Sequence, residues 1–167
     1  MSRAFVKEEN EALTGEELPE RPVSSEPNYV SPAGLESLRL KVEQLHAEHA
    51  RLKRAAEDFD RPKLTQIERD LRYYEARLES AILVNVAAQP HDEVRFGASV
   101  QAEDESGAKH TFTIVGEDEA DVVHGKVSWQ SPLATALLGA AVGDTVTWTR
   151  PAGETTLEVL DIEYRGS

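Results

Sequence analysis

The sequence predicts an α+β protein: a long antiparallel coiled-coil hairpin followed by a small antiparallel sheet packed on a short helix. Three observations predict it. Apolar residues between positions 35 and 81 recur at alternating spacings of three and four. From about residue 94 the period drops to two. One segment, 131–139, interrupts that alternation with helix start and stop signals.

Composition narrows the function classes. The 167 residues hold 18 Lys and Arg against 31 Asp and Glu, for a net charge of −13. Sequence-independent binding to nucleic acid needs a basic footprint and is disfavoured. With no cysteine in the chain, disulfide scaffolds, thiol nucleophiles and Cys-ligated zinc are excluded. No apolar run approaches the ~20 residues of a spanning helix, and the N-terminus lacks the apolar stretch of a signal peptide. A cytoplasmic protein with no membrane partner is expected.

Charge divides the chain into three parts. Residues 1–28 are expected to be a flexible acidic tail, because 7–28 are rich in Glu, Pro and Ser and have no apolar period. Residues 29–84 are the expected coiled-coil domain, in which acids and bases balance. Residues 85–167 form the expected C-terminal domain and carry most of the negative charge.

In the coiled coil, one stripe reads Leu35, Leu38, Val42, Leu45, His49, Leu52, and the second reads Leu64, Ile67, Leu71, Tyr74, Leu78, Ala81. The two mirror each other about residue 58, so Leu52 is expected to share a layer with Leu64, and Leu45 with Leu71. Ser31 is placed to cap the first helix, with Pro32 at its first position and Val30 stapling onto Leu35. Asp60 is the expected cap of the second, with Pro62 in its first turn and Phe59 stapling onto Leu64. His46 and His49 lie three apart, but no third metal ligand accompanies them.

The hairpin apex is Glu57-Asp58-Phe59-Asp60, with Arg51, Lys53, Arg54, Arg61 and Lys63 behind it as a basic collar. A solvated turn with ordinary caps explains such residues. So does a finger presenting a hard cation near nucleic acid, since Mg²⁺ prefers carboxylate oxygens and takes only one or two from a protein.

In the C-terminal domain Val94, Phe96, Ala98 and Val100 alternate with other residues, as do Phe112 and Ile114, Val127 and Trp129, Val146 and Trp148, and Leu157 and Val159. Ser131-Pro132 opens the single helix and Gly139 closes it. Glu117, Asp118, Glu119 and Asp121 read as a solvated acidic loop. Trp129 fits either core or interface. There is no Ser/His/Asp constellation, phosphate-binding loop or dinucleotide-binding glycine pattern.

Several runs carry a resemblance: Tyr29-Val30-Ser31-Pro32-Ala33-Gly34-Leu35, Tyr74-Glu75-Ala76-Arg77-Leu78, Val115-Gly116-Glu117-Asp118-Glu119-Ala120-Asp121, Gly125-Lys126-Val127-Ser128-Trp129, the 131–139 helix, and Val142-Gly143-Asp144. Together they resemble the bacterial Gre transcript-cleavage factors, the GreA/GreB family, over residues 28–163. The resemblance implies an FKBP-like C-terminal domain that docks on bacterial RNA polymerase at the rim of the secondary channel. It implies a coiled coil that enters the channel, where two tip acids and the polymerase share a Mg²⁺ that helps hydrolyse backtracked RNA. Counting back from Arg77 puts the acidic positions at Glu57 and Asp60, with Asp58 as a stand-in. Trp129, Gln130, Ser131 and Pro132 fall at the docking positions, and the collar falls near RNA.

The family tip reads Gly-Asp-Leu-Ser-Glu-Asn, whereas here Ala56 and Arg61 stand at its ends and the two acids are interchanged. The resemblance makes a transcription elongation factor that stimulates cleavage the first expectation. A channel binder that inhibits or modulates polymerase without cleavage is the alternative. Either way the chain is an accessory factor rather than an enzyme, expected as a monomer that meets nucleic acid only within the transcription complex. A prolyl isomerase would need an aromatic-lined pocket that the composition does not favour. A plain coiled-coil adaptor leaves the acidic tip unexplained.

Overall fold

The computed structural model describes residues 18–55 and 60–165. It divides into two compact units. One holds residues 18–27 with 36–80, and the other holds residues 28–35 with the chain from Ala81 onward. The second unit thus includes the start of the first helix as well as the C-terminal segment.

In the first unit, helix α1 (Pro32–Arg54) is followed by helix α2 (Arg61–Ser80). Asp60 caps α2 as expected, its Oδ1 accepting the Lys63 N–H at 3.1 Å. Phe59, the expected staple, lies outside the described residues. Leu45, Leu52, Leu64, Ile67 and Leu71 form one buried cluster with Tyr74 packed against it, so the expected 45/71 and 52/64 layers fall in a common core. His46 and His49 bind acids on α2, His46 to Glu75 at 2.7 Å and His49 to Glu68 at 3.7 Å. Arg77, which no apolar pattern singles out, is buried.

In the second unit the short strands β1 (Tyr29–Val30) and β2 (Ile82–Leu83) pair in parallel. They are the residues immediately before α1 and after α2, so the entry and exit of the hairpin are hydrogen-bonded to each other. The main sheet contains β3 (Ala98–Asp104), β4 (Lys109–Val115), β5 (Lys126–Ser128), β6 (Thr145–Arg150) and β7 (Gly153–Tyr164). Its spatial order is β5-β4-β3-β7-β6. Helix α3 (Pro132–Leu137) is capped by Ser131, whose Oγ accepts the Ala134 N–H at 3.2 Å.

The sheet is mixed rather than wholly antiparallel, because β5 runs parallel to β4. A parallel neighbour requires a crossover instead of a tight turn. That crossover is residues 116–125, two single 3₁₀ turns containing the acids that the sequence marks only as surface charge. Gly125 ends it at φ 72°, where an added Cβ would strike the Thr111 carbonyl.

The apolar phase of β7 also shifts. Thr155, Leu157 and Val159 point inward, and then Ile162 does. A bulge opposite Gln101 and Ala102 inserts one extra residue into β7, which restores the inward face after the slip. The resulting core joins Val100, Ile114, Leu157, Val159 and Ile162 of the sheet to Leu133, Ala134 and Leu137 of α3.

Candidate docking and tip sites

At the apex, Glu57 and Asp58 lie outside the described residues. Asp60 is exposed, and its Oδ1 is engaged in the helix cap. Of the collar, Lys53, Arg54, Arg61 and Lys63 are exposed. Arg51 is already paired, its guanidinium donating to both Glu48 carboxylate oxygens at 3.1 and 2.5 Å. That pair raises the affinity of Arg51 for its proton and holds the Glu48 carboxyl below its ordinary value. Among the described residues no group of three or more His, Asp or Glu is arranged to hold a metal.

The second site lies beside α3. Phe112, Val127, Pro132, Leu133, Trp148 and Pro151 line an almost wholly apolar groove of about 510 Å³, with Arg150 at its edge. Val122, on its wall, is 84 % exposed, and the adjacent Val123 is exposed as well. Two neighbouring valines held in water by a 3₁₀ turn, next to an apolar groove, form a contiguous surface of the kind that marks a protein interface. The edge-to-face pair Phe112–Trp148, 6.1 Å between centroids, gives the groove a rigid floor. His110 stacks on Phe112 and is fixed by Asp104 at 2.8 Å.

The four expected docking residues do different jobs. Pro132 is exposed in the groove wall. Ser131 borders the groove, but its hydroxyl oxygen is engaged in the helix cap. Trp129 packs inward, edge-on to Tyr29 at 5.2 Å and against the core, so its structural role is to bind β1 to the sheet. Gln130 has a buried Nε2 with no hydrogen-bond partner, a donor that costs free energy as it stands.

Sequence reasoning missed Glu119. Its carboxylate accepts the Ser31 N–H at 3.2 Å, the Gly116 N–H at 3.1 Å and a short hydrogen bond from the Ser31 hydroxyl. Ser31 Oγ in turn accepts the Gly34 N–H at 3.0 Å and so caps α1. A side chain at Gly34 would collide with the Glu119 carboxylate. The acidic loop therefore fastens the beginning of α1 to the sheet domain. Ser31 and Glu119 are 88 residues apart, and no local pattern links them. Only the unexplained glycine in the first turn of a helix hinted at a close approach.

The family model described as "Transcription elongation factor, GreA/GreB, C-term" matches residues 89–164. Transcription elongation factor GreB of Neisseria meningitidis serogroup B is 35 % identical over 153 residues, covering 82 % of this chain and 94 % of that protein. Transcription elongation factor GreA of Alkalilimnicola ehrlichii is 41 % identical over 120 residues, covering 70 % of this chain and 76 % of that protein. Among solved structures, the prokaryotic GreA/GreB factor from Nitrosomonas europaea is 25 % identical at a TM-score of 0.41, covering 81 % of this chain and 98 % of that one. The chain belongs to the GreA/GreB family of transcription elongation factors.

Proposed function

We propose that the protein docks on bacterial RNA polymerase through the groove beside Ser131 and Pro132, inserts its coiled coil into the secondary channel, and stimulates cleavage of backtracked RNA. The observation that carries the docking is the apolar groove with Pro132 in its wall. An exposed apolar surface of this kind is stabilised by covering it, and the family membership makes polymerase the partner to test. The protein acts as a cytoplasmic monomer and meets RNA only inside the transcription complex, because its net charge of −13 repels free nucleic acid.

At the tip, Glu57 and Asp60 are the proposed ligands of a Mg²⁺ shared with the polymerase, with Asp58 as a substitute. Bound there, the ion would supply charge neutralisation and a polarised water for phosphodiester hydrolysis. The chain's own part is to present carboxylate oxygens at the end of a rigid two-helix arm. The donor type fits a hard cation, and Asp60 is exposed to solvent. A solvated turn holds such an ion weakly, so the free protein is an accessory factor with no nuclease activity of its own.

One observation favours the second reading, channel binding without cleavage. Asp60 Oδ1 is engaged as the cap of α2, which leaves it less able to take both a metal and a water. Purified polymerase stalled in a backtracked complex separates the two readings. Release of 3′ RNA fragments on adding the protein at millimolar Mg²⁺ supports cleavage. Binding without release sinks it in favour of the inhibitor.

A further inference from the structure

Residues 18–27 form neither helix nor strand, yet two adjacent side chains are fixed on α2. Arg72 grips Glu20 with two hydrogen bonds, from Nε at 2.9 Å and from an Nη nitrogen at 2.5 Å. This bidentate pair holds the Glu20 carboxyl below its ordinary value. Arg21 lies over the ring of Tyr73, 4.0 Å from its centroid, with Tyr74 at 5.0 Å. It also reaches Asp70 Oδ1 at 3.4 Å, an oxygen that Arg69 approaches at 3.2 Å. Tyr73 and Tyr74 meet edge to face, which fixes the aromatic platform.

The charges complement each other in order. An acid of the segment meets a base of α2, and the next residue, a base, meets an acid and two aromatic faces. Each contact is weak alone at a solvated surface. Held on consecutive residues, each contact once made lowers the entropic cost of making the other.

We propose that residues 18–27 are an ionic strap closed on α2, this chain's own occupant of a face that opens when the Glu20–Arg72 and Arg21–Asp70 clasp is released. Closed, the strap covers Tyr73 and Tyr74. Open, it uncovers Tyr73 and the part of Tyr74 that is not packed against the hairpin core. Because salt shortens the range of charge interactions from about 10 Å at 0.1 M to about 3 Å at 1 M, ionic strength sets how much of this face is exposed.

Nitration of the tyrosines by tetranitromethane, read by peptide mass spectrometry, tests the strap on the full chain without polymerase, so its outcome is independent of the functional reading. In low salt, Tyr73 and Tyr74 of the wild type should react slowly. Arg21→Ala and Glu20→Arg should each speed their reaction about fivefold, and the charge-swapped pair Glu20→Arg/Arg72→Glu should restore the slow rate. Tyr29 and Tyr164, in the other unit, are internal references for folding. The wild type alone should accelerate between 0.05 and 1 M NaCl. A salt-independent rate in the wild type overturns the proposal, as do equal rates in Arg21→Ala or a charge swap that fails to rescue.

Discussion

The helical hairpin and the sheet domain bury apolar side chains by different geometries, and the contrast explains how each responds to change. In the hairpin the core is a single seam, in which Leu45, Leu52, Leu64 and Leu71 keep between 7 and 9 % of their surface exposed. Between two helices alone, these leucines keep one edge open to water. In the sheet domain, Leu137, Leu157, Val100 and Ile114 are completely enclosed, because α3 closes over one face of five strands. Each hairpin layer touches the next along one dimension, whereas the sheet core packs in three. Damage should therefore stay near its layer in the arm and spread through the domain.

The two tryptophans, Trp129 and Trp148, both belong to the sheet domain, and the long helices dominate the circular dichroism at 222 nm. The two regions can thus be followed separately in one denaturation. The largest effect is expected for Leu137→Ala. It empties a fully enclosed site and should cost about 3–5 kcal/mol, moving the tryptophan transition to lower urea. A shift confined to the 222 nm signal contradicts the assignment of this residue to the domain core.

Next come Leu45→Ala and Leu71→Ala, each expected to cost about 2–4 kcal/mol and to act on the 222 nm transition. The double variant should lose less than the sum of the two, because the second truncation opens into space already vacated. Strict additivity means that the layer pairing is wrong.

Glu119→Ala tests the fastening between the acidic crossover and the start of α1. It removes three hydrogen-bond acceptances, including that of the Ser31 hydroxyl, and should cost about 1–3 kcal/mol. Glu119→Gln keeps the shape and should recover part of that loss. Both variants read in the tryptophan signal, and no shift in either means that the carboxylate does not hold Ser31 in solution.

The smallest effect concerns acid. The hydroxyl of Ser106 and the ring of His110 hold the Asp104 carboxyl well below its ordinary value of 3.8, with the Ala108 and Ser106 N–H groups adding to the effect. A depressed carboxylate contributes stability that is fully present above the ordinary value and is lost as pH falls through the lower folded value. Asp104→Asn should lower stability at pH 7, where the charged carboxylate contributes in full, and flatten the decline below about pH 4, where the wild type loses that contribution. An acid titration of the tryptophan fluorescence checks this. An acid limb unchanged in the variant means that Asp104 does not contribute to it.

What was legible in the sequence differs between the regions for a physical reason. Helix periodicity and caps are local, so the heptad stripes, Ser31, Asp60 and Ser131 were each readable within a few residues. The sheet strands were readable too, because alternation is local. The β7 bulge was not, since an extra residue is defined only by the partner strand it slips against. Nor was the parallel placement of β5, which depends on where the crossover lands. Of the candidate sites, Pro132 was located by motif, whereas the groove around it joins Phe112, Val127 and Trp148 from three strands.

The sequence by itself determined the two periods, the helix ends, the charge of the apex and the family motifs, all of which depend on neighbours along the chain. Only the tertiary structure decided that Trp129 packs against Tyr29, that Glu119 binds Ser31 across 88 residues, and that Glu20 and Arg21 close on α2. Those contacts join segments whose spacing carries no signal. Their stability comes from hydrogen bonds, ring packing and paired charges that exist only once the chain has brought the segments together.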